Sequence, residues 1–398
     1  MKKIVDLSFI SYFPADNGGK QAIFYRLNEI AKENKVYAIS VNSEFDIIDI
    51  DFKNDYMKNM QCMIFPSKER RRDECSKVEM FFQFYRWLIS GKPRKSAKIY
   101  SKKVVDVITA KIQEIAPDVI YLESIFVSDL VDWSRVSRKN TTVVQVVHNN
   151  EIAFFDATMK RWPSMLANIE RNRILQYEKS IAKFVDYNFC IAPRDATYYR
   201  SFVENVEFVP SYMPLPEKKW SISENKYIFF AAPLSFSPNY EGIVWFLKNV
   251  FSEFIKNHKE YILKLTGYVS DELKMEFNSF KNIEFTGYLS TEKLEELIIN
   301  SSFTVIPIFS GSGVNIKLLQ AMSYGVPIIT TSHSAGGTVM CDGVKPFLVA
   351  NDASAFLYCM NVLTDKDKRE SLSYEAREFF PNNYANEKII KKWILEDF

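Results

Sequence analysis

Short strand-like runs alternate with helix-like runs twice along this chain, on either side of one proline-rich break, and this rhythm restricts the fold more than any single residue does. Ile4 to Phe9 reads as a strand, Phe13 to Lys20 as a loop ending in Gly18-Gly19, and Gln21 to Glu33 as a helix with Ile23, Leu27 and Ile30 on one face. Val36 to Val41 returns as a strand, and a strand, crossover helix and strand in that order build a parallel sheet. The pattern continues with a helix over Val104 to Ile115 that Pro117-Asp118 breaks, and with strands Val119 to Leu122, Thr141 to Val147 and Tyr187 to Ile191. Between Val206 and Lys226 it dissolves into a stretch containing Pro210, Pro214 and Pro216, which reads as a linker. Beyond it come strand Tyr227 to Ala231, a helix from about Asn239 to Ile255, and strands Tyr261 to Thr266 and Ile283 to Phe285. Helix Thr291 to Ile299, strand Phe303 to Ile308, a helix from about Asn315 to Tyr324 and strand Val326 to Thr330 follow. The expectation is an α/β protein of two Rossmann-like domains with parallel sheets, facing a cleft where ligands meet the carboxyl ends of the strands. Residues 1–212 form the first domain, 213–226 the linker, 227–380 the second domain, and 381–398 a C-terminal helix returning to the first.

Composition narrows the function classes. At 398 residues the chain can bury two cores without disulfide or metal staples. A net charge of +2, from 51 basic and 49 acidic residues, provides no global field for nucleic acid. Cys62, Cys75, Cys190, Cys341 and Cys359 are odd in number and lack metal-site or redox spacing, which fits a reducing, cytoplasmic location. No apolar run approaches the roughly 18 residues of a membrane span, and Asp6 interrupts the N-terminal run, which reads as a first strand rather than a leader. Aromatic residues make up 15% of the chain, so most of them must be core and a single aromatic says little about function.

The segment after strand Phe303 to Ile308 carries the most chemistry. Gly311, Ser312, Gly313, Val314 and Asn315 lead into a helix, where small residues let the backbone approach a ligand and unpaired helix N–H groups favour phosphate. Lys317 stands one turn inside that helix and adds a full positive charge. Gly325 is placed to end it in the left-handed conformation, with Pro327 beyond. A plain tight connection with a solvated lysine is the competing reading.

From Gly311 through Gly325-Val326-Pro327 the chain resembles the nucleotide-sugar site of GT-B glycosyltransferases of the large retaining family 4 type. Ser237-Pro238-Asn239 with Trp245-Phe246, Leu265-Thr266-Gly267, Phe285-Thr286-Gly287-Tyr288 and Tyr374-Glu375-Ala376-Arg377 fall in that family's order. So do Gly18-Gly19 and His148-Asn149-Asn150-Glu151 in the first half. The resemblance implies a metal-independent, cofactor-free transferase that moves a sugar from a nucleoside diphosphate, UDP by preference, to a glycan or lipid-linked acceptor in surface polysaccharide synthesis. The first domain would take the acceptor. Lys317 and His148 would act in catalysis, His148 on the donor sugar. Gly18, Gly19, Gly311, Ser312, Gly313, Val314 and Asn315 would line the donor, Gln320 would take the ribose, and the backbone near Tyr288 the base.

The sequence departs from the family at two points. Two glutamates eight positions apart are usual around the loop, and here those positions are Ser312 and Gln320; a neutral amide still bonds hydroxyls, without charge assistance. The usual basic residues early in the second domain are missing between Ala231 and Trp245, leaving Lys317 as the diphosphate cation. A nucleotide-sugar epimerase or hydrolase, and a non-catalytic subunit that binds glycan beside a partner enzyme, remain open as alternatives. His258 and His333 are scattered, and no cluster of ligands suggests a metal. Glu123 and Asp195 follow strands and face either acceptor or solvent. Finally, Met80 to Ile89 is largely aromatic and apolar and is followed by basic residues, among them Arg94, Lys95 and Lys98. This segment suits a lipid-diphosphate acceptor or an anionic membrane at its inner face, against the plainer reading of a core helix followed by a solvated one.

Overall fold

The computed structural model describes residues 1–10, 15, 18–42, 48–52, 59–66, 76–158, 162–267, 269–339 and 346–396. Contacts divide the chain into a unit of Met1–Ser211 with Ile390–Phe398 and a unit of Tyr212–Ile389.

The first unit is built on eight strands: β1 (Lys3–Ser8), β2 (Lys35–Asn42), β3 (Ile48–Phe52), β4 (Met60–Pro66), β5 (Val119–Leu122), β6 (Thr142–Val147), β7 (Tyr187–Cys190) and β8 (Val206–Phe208). They lie in the order β3-β4-β2-β1-β5-β6-β7-β8. All pairs are parallel except β3 with β4, an antiparallel edge that the sequence rhythm does not reveal. The central strands are apolar almost throughout because helices cover both faces of a parallel sheet, and all four residues of β5 are buried. One core gathers Leu7, Ile39, Ile120 and Leu122 from the strands with Ile108 and Ile112 from the helix Lys102–Ile115. The first crossover helix runs Gly18–Ile30, so Gly18 and Gly19 are its first two residues rather than the end of a loop. Within the C-terminal stretch of this unit, Trp393 is fully buried and donates its indole N–H to the Pro210 carbonyl at 3.1 Å.

The second unit has six parallel strands: β9 (Tyr227–Ala231), β10 (Ile262–Thr266), β11 (Ile283–Gly287), β12 (Phe303–Ile306), β13 (Ile328–Thr330) and β14 (Leu348–Val349). Their order, β11-β10-β9-β12-β13-β14, is the 3-2-1-4-5-6 arrangement of a Rossmann sheet. Residues 213–226 pack onto this unit. The Trp220 N–H donates to the Tyr324 carbonyl at 2.9 Å, and its buried indole to the Ser301 carbonyl at 2.7 Å. Helix Ser237–Phe246 lies so close to the end of β12 that a Cβ on Gly242 would stand 2.1 Å from the Pro307 carbonyl oxygen. Only glycine fits there.

Candidate functional site

Among the parallel strands of each sheet the order reverses between β1 and β5 in the first unit and between β9 and β12 in the second, and open α/β sheets bind ligands beyond the carboxyl ends of such pairs. The first unit places Glu123 directly after β5, its N–H held by the Leu7 carbonyl at 3.0 Å. His148 stands directly after β6, and its Nε2 lies 2.5 Å from Glu123 Oε2. The other carboxylate oxygen of Glu123 accepts from Arg26, whose guanidinium also donates to Asp6 at 2.7 Å. Arg26 is 2% exposed and Asp6 fully buried; Trp393 covers the guanidinium with its ring centroid at 4.4 Å. Glu123 is therefore buried, not facing solvent or acceptor as its position after a strand suggests. Burial alone would push its carboxyl upward, but Arg26 and the bond to His148 outweigh that and hold it at about 2. An ionised carboxylate thus fixes one nitrogen of the imidazole and with it the orientation of the ring.

Two members of this chain of charges escape motif reading. Asp6 interrupts an apolar strand, and Arg26 shares the buried helix face of Ile23, Leu27 and Ile30. A charge of each sign at core positions is the signal that was available. Three residues past His148, Glu151 opens the helix Glu151–Thr158, and its carboxyl is pushed up to about 7 by burial, with Lys95 opposing and Glu178 and Asp195 reinforcing the rise. Of the three basic residues proposed for the acceptor side, none forms a fully exposed patch. Arg94 is half-buried with its backbone N–H on Glu170 at 2.7 Å and its guanidinium 5.4 Å from the Trp162 ring; Lys95 lies 3.4 Å from the Phe9 ring; Lys98 is half-buried.

In the second unit the loop after β12 adopts the conformation its glycines permit, with Gly311 at φ 121° and Gly313 at φ 73°. A Cβ on Gly337 would meet the Gly313 carbonyl at 2.5 Å, so a second glycine is needed to hold this loop in place. The helix Ile316–Tyr324 follows and ends on Gly325 in the left-handed conformation. Asn315 is its N-cap, yet the side chain makes no capping bond and donates instead to the Ser334 hydroxyl at 3.1 Å. The first-turn N–H groups are thus left without a side-chain cap, which favours an anion. Lys317 lies in that turn, half-buried. It keeps some solvent contact by area, but protein crowds its ammonium, and desolvation pulls it down to about 8. Among the described residues no carboxylate pairs with it.

Gln320, one turn further along the same helix face, is half-buried. Tyr288 directly follows β11 and is 76% exposed. Ser312 and Val314 are half-buried in the loop, and a cavity of about 410 Å³ opens beside Ser310, bounded by Glu241, Trp245, Phe309 and Asn351. The structure thus brings Gly311 to Asn315, Lys317 and Gln320 together in the second unit, places Tyr288 past the edge strand β11, with β10 and β9 between it and β12, and puts Gly18, Gly19 and His148 in the first. His258 is bound to Asn361 at 2.9 Å on the surface. Among the described residues no group of three or more His, Cys, Asp or Glu side chains is placed to hold a metal, and no helix is long and apolar enough to cross a membrane.

Comparison with known proteins bears on the same unit. Residues 225–365 match the family model described as "Glycosyl transferases group 1". The match lies in the second unit and spans β9 to β14, the glycine loop, Lys317 and Gln320. Over 291 residues the chain is 23% identical to an uncharacterised 44.6 kDa protein in the cps region of Klebsiella pneumoniae, covering 70% of this chain and 74% of that one. Sucrose-phosphate synthase from Thermosynechococcus elongatus superposes with a TM-score of 0.73 at 13% identity, over 100% of this chain and 98% of that one. Anabaena HepE, solved with UDP and glucose, gives 0.64 at 11% identity over 100% and 99%. The fold is GT-B, and the family match falls on its second Rossmann-like unit.

Proposed function

We propose that this protein is a retaining glycosyltransferase that takes a sugar from a UDP-sugar and moves it to a hydroxyl of a glycan or lipid-linked acceptor. One observation carries the reading: a desolvated lysine with no counter-ion among the described residues stands in the uncapped first turn of a helix, at the point where the second unit's strand order reverses. A buried cation without a partner is costly, and a diphosphate supplies the missing charge. In this role Lys317 and the N–H groups after Gly311 to Gly313 hold the diphosphate and take up the negative charge that grows on it as the glycosidic bond breaks. Gln320 bonds the ribose, and the backbone at Tyr288 meets the base. His148, oriented by Glu123, acts on the sugar. The departing diphosphate can itself accept the acceptor proton, so the scheme asks for no side-chain nucleophile and no metal.

HepE, a structural neighbour solved with UDP and glucose, supports the choice of donor, and the Klebsiella relative's cps region supports a role in surface polysaccharide assembly. Ser312 and Gln320, neutral where glutamates are usual, favour a second reading in which the chain binds a nucleotide sugar without transferring it. Incubation with UDP-sugars, with and without a glycan acceptor, followed by product analysis tests both. Acceptor-dependent release of UDP with a glycosylated product is expected. Binding without acceptor-dependent turnover would favour the second reading, and absence of UDP binding would end both.

A further inference from the structure

The helix Lys77–Ser90 is amphipathic in the wrong direction for a core helix. Val78, Phe81, Phe82, Tyr85 and Ile89 recur at the spacing of a single helical face and are 64, 64, 63, 53 and 65% exposed, whereas Trp87, on the opposite side, is 2% exposed. The helix is firmly held along its inner side. The Trp87 indole N–H donates to Glu170 at 2.7 Å, and Arg173 donates to the Trp87 and Leu88 carbonyls at 2.7 and 2.8 Å. At roughly 200 Å² per large side chain, these five residues expose about 600 Å², the upper end of what a monomer ordinarily leaves uncovered.

The surroundings are basic. From Ser76 to Lys103 the sequence holds eight Lys and Arg residues against Glu79; Lys92 is paired with Asp129 at 2.7 Å and Arg94, Lys95 and Lys98 are half-buried, so Lys102 and Lys103 carry the exposed charge. Arg86 donates to the Tyr100 carbonyl at 2.7 Å and so ties the chain leading to Lys102 and Lys103, both exposed, alongside the helix. A second copy seated on this stripe by two-fold symmetry would bring two basic rims together, which electrostatics opposes. An anionic surface complements the rim, and aromatic side chains suit the headgroup boundary.

We propose that the outward stripe of the Lys77–Ser90 helix, with Lys102 and Lys103 at its rim, docks the first unit on an anionic phospholipid bilayer. The stripe lies in the headgroup boundary and the lysines meet the lipid charges. This stands independently of the donor reading, because it concerns the first unit and is measured without nucleotide. Co-sedimentation with phosphatidylglycerol–phosphatidylcholine vesicles, beside pure phosphatidylcholine vesicles, tests it on the full chain. The wild type is expected to pellet with the anionic vesicles and to weaken with salt. The triple variant Phe81→Ser, Phe82→Ser, Ile89→Ser should fall to background with an unchanged melting curve, since the replaced side chains are exposed. Lys102→Ala and Lys103→Ala should each weaken binding about fivefold. Wild-type protein that stays in the supernatant, or a triple variant that pellets as well as wild type, would overturn the proposal. So would a wild-type dimer in sedimentation velocity that the triple variant converts to monomer, because a second copy would then be the occupant.

Discussion

Replacing Lys317 by methionine should make the free protein more stable and the nucleotide site useless at the same time. The ammonium is pulled from the ordinary lysine value to about 8 by desolvation, a drop of about 2.5 pH units, which at 1.36 kcal/mol per unit corresponds to about 3 kcal/mol against the charged form. The remaining solvent contact trims this to about 2 kcal/mol. The sign follows from proton binding: between pH 8 and about 10.4 the unfolded lysine holds a proton that the folded one has lost, so stability of the free protein rises with pH across that window. Below pH 8 the full penalty is present. Lys317→Met removes it and should raise the melting temperature of the second unit by roughly 4–8 °C at pH 7. A bound diphosphate restores the lysine toward its ordinary value, so binding takes up a proton near pH 8.5. UDP affinity should fall about threefold between pH 7.5 and 8.5, above the ionisation of the terminal phosphate and below that of the uracil N–H. Isothermal titration calorimetry in buffers of different ionisation enthalpy reads both affinity and proton uptake. A flat affinity profile, no proton uptake, or a destabilised Lys317→Met variant would refute the argument.

Glu123→Gln should leave Arg26 buried with half its counter-charge and cost about 3–5 kcal/mol, read in chemical denaturation. Because the Glu123 carboxyl is held low in the folded state, its contribution is complete above about pH 4.5 and fades as pH falls toward 2, so the wild type should lose its advantage over the variant across that interval. Gly242→Ala drives a methyl into the Pro307 carbonyl and should cost about 1–3 kcal/mol in thermal melts. Transfer and UDP binding should persist in EDTA; activity lost to the chelator and restored by a divalent ion would contradict the metal-free scheme. His148→Ala should slow turnover while UDP affinity stays near wild type.

The two-sheet plan is legible in the sequence because buried parallel strands read as apolar runs set between helical periods, and the glycine loop is legible because Gly311, Gly313 and Gly325 stand where positive φ is required. The antiparallel edge formed by β3 and β4 is not, since short edge strands lack a distinctive period. Gly18-Gly19 reads as a loop, yet the helix begins there, because helix starts are set by tertiary packing as much as by local propensity. Glu123 reads as solvated because its partners Asp6, Arg26 and His148 are distant in sequence and meet only in the fold. The Lys77–Ser90 helix shows the opposite limit. Its apolar periodicity is plain in the sequence, but periodicity does not say whether a stripe faces the core or the solvent.

The measurement closest to the central claim is a paired titration of UDP and uridine against wild type and Lys317→Ala. The account predicts that UDP binds wild type at least tenfold more tightly than uridine and that the substitution removes most of that difference, since a charge-assisted contact contributes about 1.5–3 kcal/mol. Uridine affinity should hardly change. Equal UDP affinity in the two proteins would contradict the placement of the diphosphate on Lys317 and the first turn of its helix.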